Sequence, residues 1–138
     1  MTQPPSAGYS GTPLPAKLGV RPGGRVLVDG SPPGFALEPL PGGATLHRRA
    51  GAGDYDVVLL FASEAARLHA RWPALVARLQ TAGRLWVCWP KKSSGVPTDL
   101  TENDVRGFGL DAGLVDVKVA AIDTTWSGLA FVRRVRDR

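Results

Sequence analysis

The chain has 138 residues, 43% of them hydrophobic, a formal charge of +5 and a single cysteine. That length suits one domain around one core, and one cysteine excludes an internal disulfide framework. No apolar run approaches the roughly 18 residues of a membrane span, and MTQPPSAGYSGTPLP lacks the basic patch and apolar core of a signal peptide.

Residues 1–12, rich in Pro, Ser and Gly, read as a flexible N-terminal segment. Pro13 to Leu18 makes one helical turn closed by Gly19. Arg25 to Val28 is a short buried strand, followed by GSPPGFALEPLPGG, whose prolines and glycines rule out a long helix. Ala44 to His47 is a second strand, RRAGAGDY a loop, and Asp56 to Phe61 (DVVLLF) a third strand. Ser63 reads as the N-cap of a helix whose apolar face is Leu68, Trp72, Leu75, Val76 and Leu79. Pro73 is expected to kink that helix or restart it, and Gly83 to stop it.

Arg84 to Trp89 is the next strand, ended by Pro90. A helix follows from Thr101 to Phe108, with Thr101 and Asp104 as a capping box and Gly107 and Gly109 at its end. Leu114 to Ile122 alternates, with Val115, Val117, Val119 and Ala121 on one face and Asp116 and Lys118 on the other. That predicts an edge strand with one wet face, on which Asp116 and Lys118 form surface ion pairs with groups on an adjacent element or with each other. The turn DTTWSG leads into a last strand, Leu129 to Val132, and residues 134–138 form a basic tail.

The order β, β, β, α, β, α, β, β predicts a single α/β domain over residues 13–133. Its sheet is mainly parallel and Rossmann-like, with a C-terminal antiparallel strand pair set by the short last turn. Cys88, inside the apolar run LWVCW, reads as a buried, reduced thiol of a cytoplasmic protein.

Three segments, LGVRPGGRVLVDG, DVVLLFASEA and LQTAGRLWVCWPK, give the chain a resemblance to class I methyltransferases, in truncated form. GYSGTPL, WPKKSSGVPTDLTE, GLVDVKV and AIDTTWSGL resemble an uncharacterised bacterial family, domain of unknown function 3052. The first resemblance implies a Rossmann-type fold, and the second brings no activity with it. A methyltransferase-like domain would hold S-adenosylmethionine at glycines after its first strand. Here the loop is Asp29-Gly30-Ser31-Pro32-Pro33-Gly34, in which two prolines lack N–H donors. His47-Arg48-Arg49 stands where the fold usually places an acidic ribose ligand. Only one loop separates the second and third strands, where the methyltransferase pattern has a helix and another strand. The expectation is therefore no cofactor at the usual site.

Ligands of open α/β sheets sit beyond the carboxyl ends of the parallel strands. That edge should gather Asp29 and Ser31, then Lys91, Lys92, Ser93 and Ser94 of KKSSG, then Asp123, Thr125 and Trp126 of DTTWSG. KKSSG, upstream of a helix start, has the groups to hold a phosphate or carboxylate, although it is no Walker loop. Trp126 could stack on a ligand or fold back on the core. No metal-ligand spacing occurs around His47, His69 or Cys88, and no GxSxG is present. These residues point to a non-catalytic domain that binds a small anionic ligand or a protein partner at the carboxyl rim. One alternative is a small enzyme or binding protein for a phosphorylated or nucleotide ligand, using Lys91, Lys92, Asp123 and Trp126. Another is a nucleic-acid-binding accessory protein, against which the scattered basic residues argue.

Overall fold

Two runs, VVLLF and LWVCW, are apolar at every position because their strands are covered on both faces. In the computed structural model, which describes residues 11–138, they are the centre of one six-stranded sheet. The strands are β1 (Arg25–Asp29), β2 (Thr45–His47), β3 (Tyr55–Phe61), β4 (Leu79–Pro90), β5 (Leu114–Ala121) and β6 (Trp126–Arg133), in the order β2-β1-β3-β4-β6-β5. β1 to β4 pair in parallel, and β6 runs antiparallel to both β4 and β5. The flexible segment expected over residues 1–12 lies, for its first ten residues, outside the described part.

Alternate side chains feed two cores. Leu27, Val58, Leu60, Leu85, Val87, Leu129 and Phe131 face helices α2 (Ala65–Val76) and α3 (Glu102–Asp111). Val26, Val28, Val57, Leu59, Phe61, Trp86 and Cys88 face the opposite side. There, among the described residues, the short α1 (Leu14–Lys17), with Leu18 and Val20 after it, and the Pro/Gly-rich segment carrying Phe35 and Leu37 cover the sheet. The Trp86 indole N–H donates to the Leu18 carbonyl at 2.9 Å, which ties this cover to the sheet without leaving a buried donor unpaired.

The loop 48–54 stands alone between β2 and β3. Arg25 and Arg78 hold it by donating to the carbonyls of Gly51, Ala52, Gly53 and Asp54. The hydroxyl of fully buried Tyr55 accepts from the Gly51 amide at 2.7 Å and lies 2.6 Å from His47 Nδ1. A short segment is thus fastened by polar bonds where a longer connection would use a packed helix.

Several sequence expectations are corrected. Ser63 does not cap α2. The N-cap is Glu64, and the orphan Ala65 amide donates instead to Asp99 Oδ1 at 2.7 Å, from a loop far along the chain. Pro73 lies three residues before the end of α2, which continues as one helix to Val76. Leu79 belongs to β4, paired with Tyr55. The irregularity between Leu79 and Arg84 throws out residues 80–83, so the helical period ran on by chance into a strand.

The capping box of α3 forms as expected, but the helix runs through Gly107 and Gly109 to Asp111. β6 begins at Trp126, so DTTWSG is turn only up to Thr125. On β5 a bulge between Asp116 and Lys118 inverts the alternation. Asp116 pairs with Phe131 and Lys118 with Ala130, residues that feed opposite cores. Asp116 and Lys118 therefore lie on different faces and do not pair with each other; of the two expected pairings, the one with an adjacent element forms, from Asp116 to α3. Asp116 accepts from Arg106 Nε at 2.9 Å, while Val117 and Val119 are exposed.

Candidate functional site at the carboxyl rim

Parallel pairing brings the carboxyl ends of β1 to β4 to one edge, and β6 starts at that edge opposite the end of β4. All the sequence-selected loops reach it. The Lys91 amide donates to the Thr125 carbonyl at 2.8 Å, so KKSSG and the β5–β6 turn touch directly. Lys92, Ser93 and Ser94 form one 3₁₀ turn, in which the Ser94 hydroxyl donates to the Lys91 carbonyl at 2.6 Å. Asp123 Oδ1 accepts from the amides of Thr125 and Trp126, both at 2.8 Å, so this carboxylate builds the turn. Trp126 stands edge-on to Phe61 at 5.2 Å, and Phe61 edge-on to Phe35 at 4.9 Å. Trp126 has therefore folded back on the core, half-buried, and these rings fill the space over the end of β3.

Asp29 and Ser31 lie two strands away from β4. The Asp29 carboxylate is held by two guanidiniums one helical turn apart on α2. Arg67 Nη2 contacts Oδ1, and Arg71 reaches Oδ2 with Nε at 2.8 Å and Nη2 at 2.7 Å. Arg67 Nε also donates to the Phe61 carbonyl at 2.9 Å. Arg48, after β2, donates from Nη1 to Ser31 Oγ at 2.8 Å. Sequence reading missed Arg67, Arg71 and Asp99. The spacing of the two arginines put them on one helix face, but nothing local pointed that face at β1.

S-adenosylmethionine, which the fold implies, finds a poor fit here. Gly30 has the positive φ of 72° that a tight cradle needs. However, the Arg67 guanidinium lies against it: a Cβ placed on Gly30 would be 2.8 Å from Arg67 Cζ. Arginine thus occupies the approach that a cofactor would take to this backbone. Pro32 and Pro33 offer no amide, and Phe35 covers Phe61.

An open cavity of about 440 Å³ lies beyond the end of β4. Trp89, Pro90 and Leu100 supply apolar wall, Lys92 a cation, and Thr101, Glu102 and Asn103 the first turn of α3. The Glu102 carboxylate is drawn aside by Arg106, 2.7 Å away, and Asn103 Oδ1 also accepts from Arg106. The hydrogen bonds to the Glu102 and Asp116 carboxylates push the already high Arg106 pKa further up. Cys88, fully buried, has its thiol pKa pushed up from 9.0 by desolvation, with the negative charge of Asp123 adding to the effect. Among the described residues, no group of three or more His, Cys, Asp and Glu side chains is arranged to hold a metal, and no helix is long and apolar enough to cross a membrane.

The architecture is that of the methyltransferase-like Rossmann fold. The ribosomal protein L11 methylase from Lactobacillus delbrueckii subsp. bulgaricus is similar over 88% of this chain and 75% of its own, with TM-score 0.53 and 12% identity. The PH0226 protein from Pyrococcus horikoshii OT3 is similar over 88% and 87%, with TM-score 0.50 and 12% identity. LepI, in a complex with S-adenosylmethionine, is similar over 88% of this chain but 39% of its own, with TM-score 0.52 and 14% identity. The chain spans about half the length or less of several matching structures, 51% and 39% in two of them. At these identities the likeness defines the fold and nothing finer. No protein-family model matches the chain, the family of unknown function 3052 included, and no curated protein matches it.

Proposed function

We propose that this methyltransferase-like domain works without S-adenosylmethionine and binds a small anionic ligand in the cavity between the end of β4 and α3. The observation that carries the reading is the cavity's composition. Three apolar residues and one lysine suit a carboxylate attached to an apolar body, because the body is desolvated on the wall while the charge meets Lys92. The amides of Glu102 and Asn103, in the first turn of α3, have no protein acceptor among the described residues and add to the field that favours an anion. A binding role rather than catalysis is supported by how the nearby carboxylates are used. Asp29, Asp99 and Asp123 are each engaged by arginines or backbone amides, and none is left as a base.

The test is a titration of the ¹⁵N-labelled chain with benzoate. The amides of Lys92, Thr101, Glu102 and Asn103 are expected to shift saturably, and Lys92→Ala is expected to weaken the response by about tenfold, the value of one charge-assisted hydrogen bond. Shifts that survive Lys92→Ala unchanged, or that do not saturate, reject the reading.

A further inference from the structure

Two arginines hold one carboxylate at the end of β1 and a third bonds Ser31 two residues on, so the charges do not balance. A single guanidinium bonding both oxygens would satisfy Asp29. Instead Arg67 and Arg71 each take one oxygen, and Arg48 bonds Ser31, two residues on. Because Gly30 lies against Arg67 and Ser31 against Arg48, the guanidiniums flank the same two-residue stretch. The count is three positive charges against one negative. Arg67 Nη1 and Arg71 Nη1 have no protein acceptor among the described residues, and both side chains are about 40% exposed, at 38% and 42%. Asp29, at 13% exposure, is the inner anchor that fixes two of these cations in place.

We propose that Arg48, Arg67 and Arg71, with the Ser31 hydroxyl, form a second anion site at the ends of β1 and β2, one that takes a phosphate monoester. A dianion matches the surplus of two charges, and its oxygens can accept from the outward Nη groups while Asp29 keeps its own bonds. Guanidinium forks suit phosphate geometry better than lysine does. The site stands apart from the cavity at Lys92, with β3 between β1 and β4. It uses the position at which the fold would otherwise hold a cofactor.

The full-length ¹⁵N-labelled chain is titrated with inorganic phosphate and, separately, with glycerol phosphate, following the amides of Gly30 and Ser31 and the arginine Nε–H signals. Both ligands are expected to give saturable shifts at millimolar concentration. Affinity should fall at least about tenfold in Arg48→Gln/Arg71→Gln, as expected for loss of charge-assisted hydrogen bonds. It should be unchanged in Lys118→Gln/Arg136→Gln, which removes the same charge from exposed positions elsewhere. Absence of saturation overturns the proposal, as does equal weakening in both double variants, which would mean net charge alone. Single-stranded oligonucleotide that binds more tightly than either phosphate, and that Arg48→Gln/Arg71→Gln leaves unaffected, overturns it in favour of a nucleic-acid surface elsewhere. The benzoate response at Thr101 and Asn103 is read from different amides, so either site can fail while the other stands.

Discussion

Replacing Gly109 by alanine should destabilise the fold, although alanine is the better helix former. α3 approaches β6 so closely at this point that an added Cβ would sit 2.7 Å from Phe131 Cδ1, with other ring atoms nearer still. Phe131 is fully buried and edge-on to Trp72 at 5.5 Å, so its ring cannot step aside without disturbing the core beneath α2. Overpacking of this kind costs about 1–3 kcal/mol or more, against a helix-propensity gain of about 1 kcal/mol. The clash wins, and the expected net loss is about 1–2 kcal/mol. Gly107, two residues earlier in the same helix, has nothing within 4 Å of its added Cβ. Alanine there should stabilise by about 0.5–1 kcal/mol. Urea unfolding followed by tryptophan fluorescence, with equal m-values, measures both. The variants should differ by about 1.5–3 kcal/mol, or roughly 10 °C in Tm for a chain of this size. Equal stabilisation by both alanines would refute the close packing of α3 on Phe131.

Two further perturbations follow from the same structure. Asp99→Ala removes the cap on Ala65 and should cost about 1 kcal/mol, whereas Ser63→Ala, at the sequence-predicted cap, should change stability by less than about 0.5 kcal/mol; a larger loss in the serine variant under urea would contradict the cross-chain cap. The buried Cys88 thiol has a raised pKa in the folded state, so it stays protonated while the unfolded chain ionises. Its contribution is therefore complete below the unfolded value near 9.0 and is lost as pH rises above it, at up to about 1.4 kcal/mol per pH unit. The difference between the pH–stability profiles of the wild type and Cys88→Ala should show this slope above pH 9, and a thiol reagent should label Cys88 only as the chain unfolds. Rapid labelling of the native protein at pH 8 would show that the thiol is accessible.

How much of this could be read from the residues depended on whether the determining contact was local. VVLLF and LWVCW announced central strands because burial on both faces removes polar residues from both. The capping box at Thr101 was legible because its two partners are three residues apart. The cap of α2 was not, since Asp99 is 34 positions from Ala65. Gly109 looked like a helix terminator, but its lack of a side chain serves contact with Phe131, on a strand that arrives later in the chain. The alternation of β5 misled because one bulged residue exchanges the two faces, and period-two reasoning has no means of seeing it. At the rim, the strand ends correctly gathered KKSSG with the β5–β6 turn. The side chains around Asp29 and Ser31 came instead from α2 and from the residue after β2, and only the folded geometry shows Arg67 and Arg71 on the carboxylate and Arg48 on the hydroxyl.

In this methyltransferase-like fold the Arg67 guanidinium lies where a cofactor would approach Gly30. The most direct measurement is tryptophan fluorescence of the pure protein during titration with S-adenosylmethionine and S-adenosylhomocysteine, with the thermal midpoint recorded alongside. Trp89 borders the cavity and Trp126 begins β6 at the same edge, so a ligand bound at the rim should alter the emission. No saturable change and an unmoved midpoint up to millimolar ligand are expected. Saturable binding at micromolar concentration, with the midpoint rising accordingly, would contradict the account and show that Arg67 gives way to let the cofactor reach Gly30.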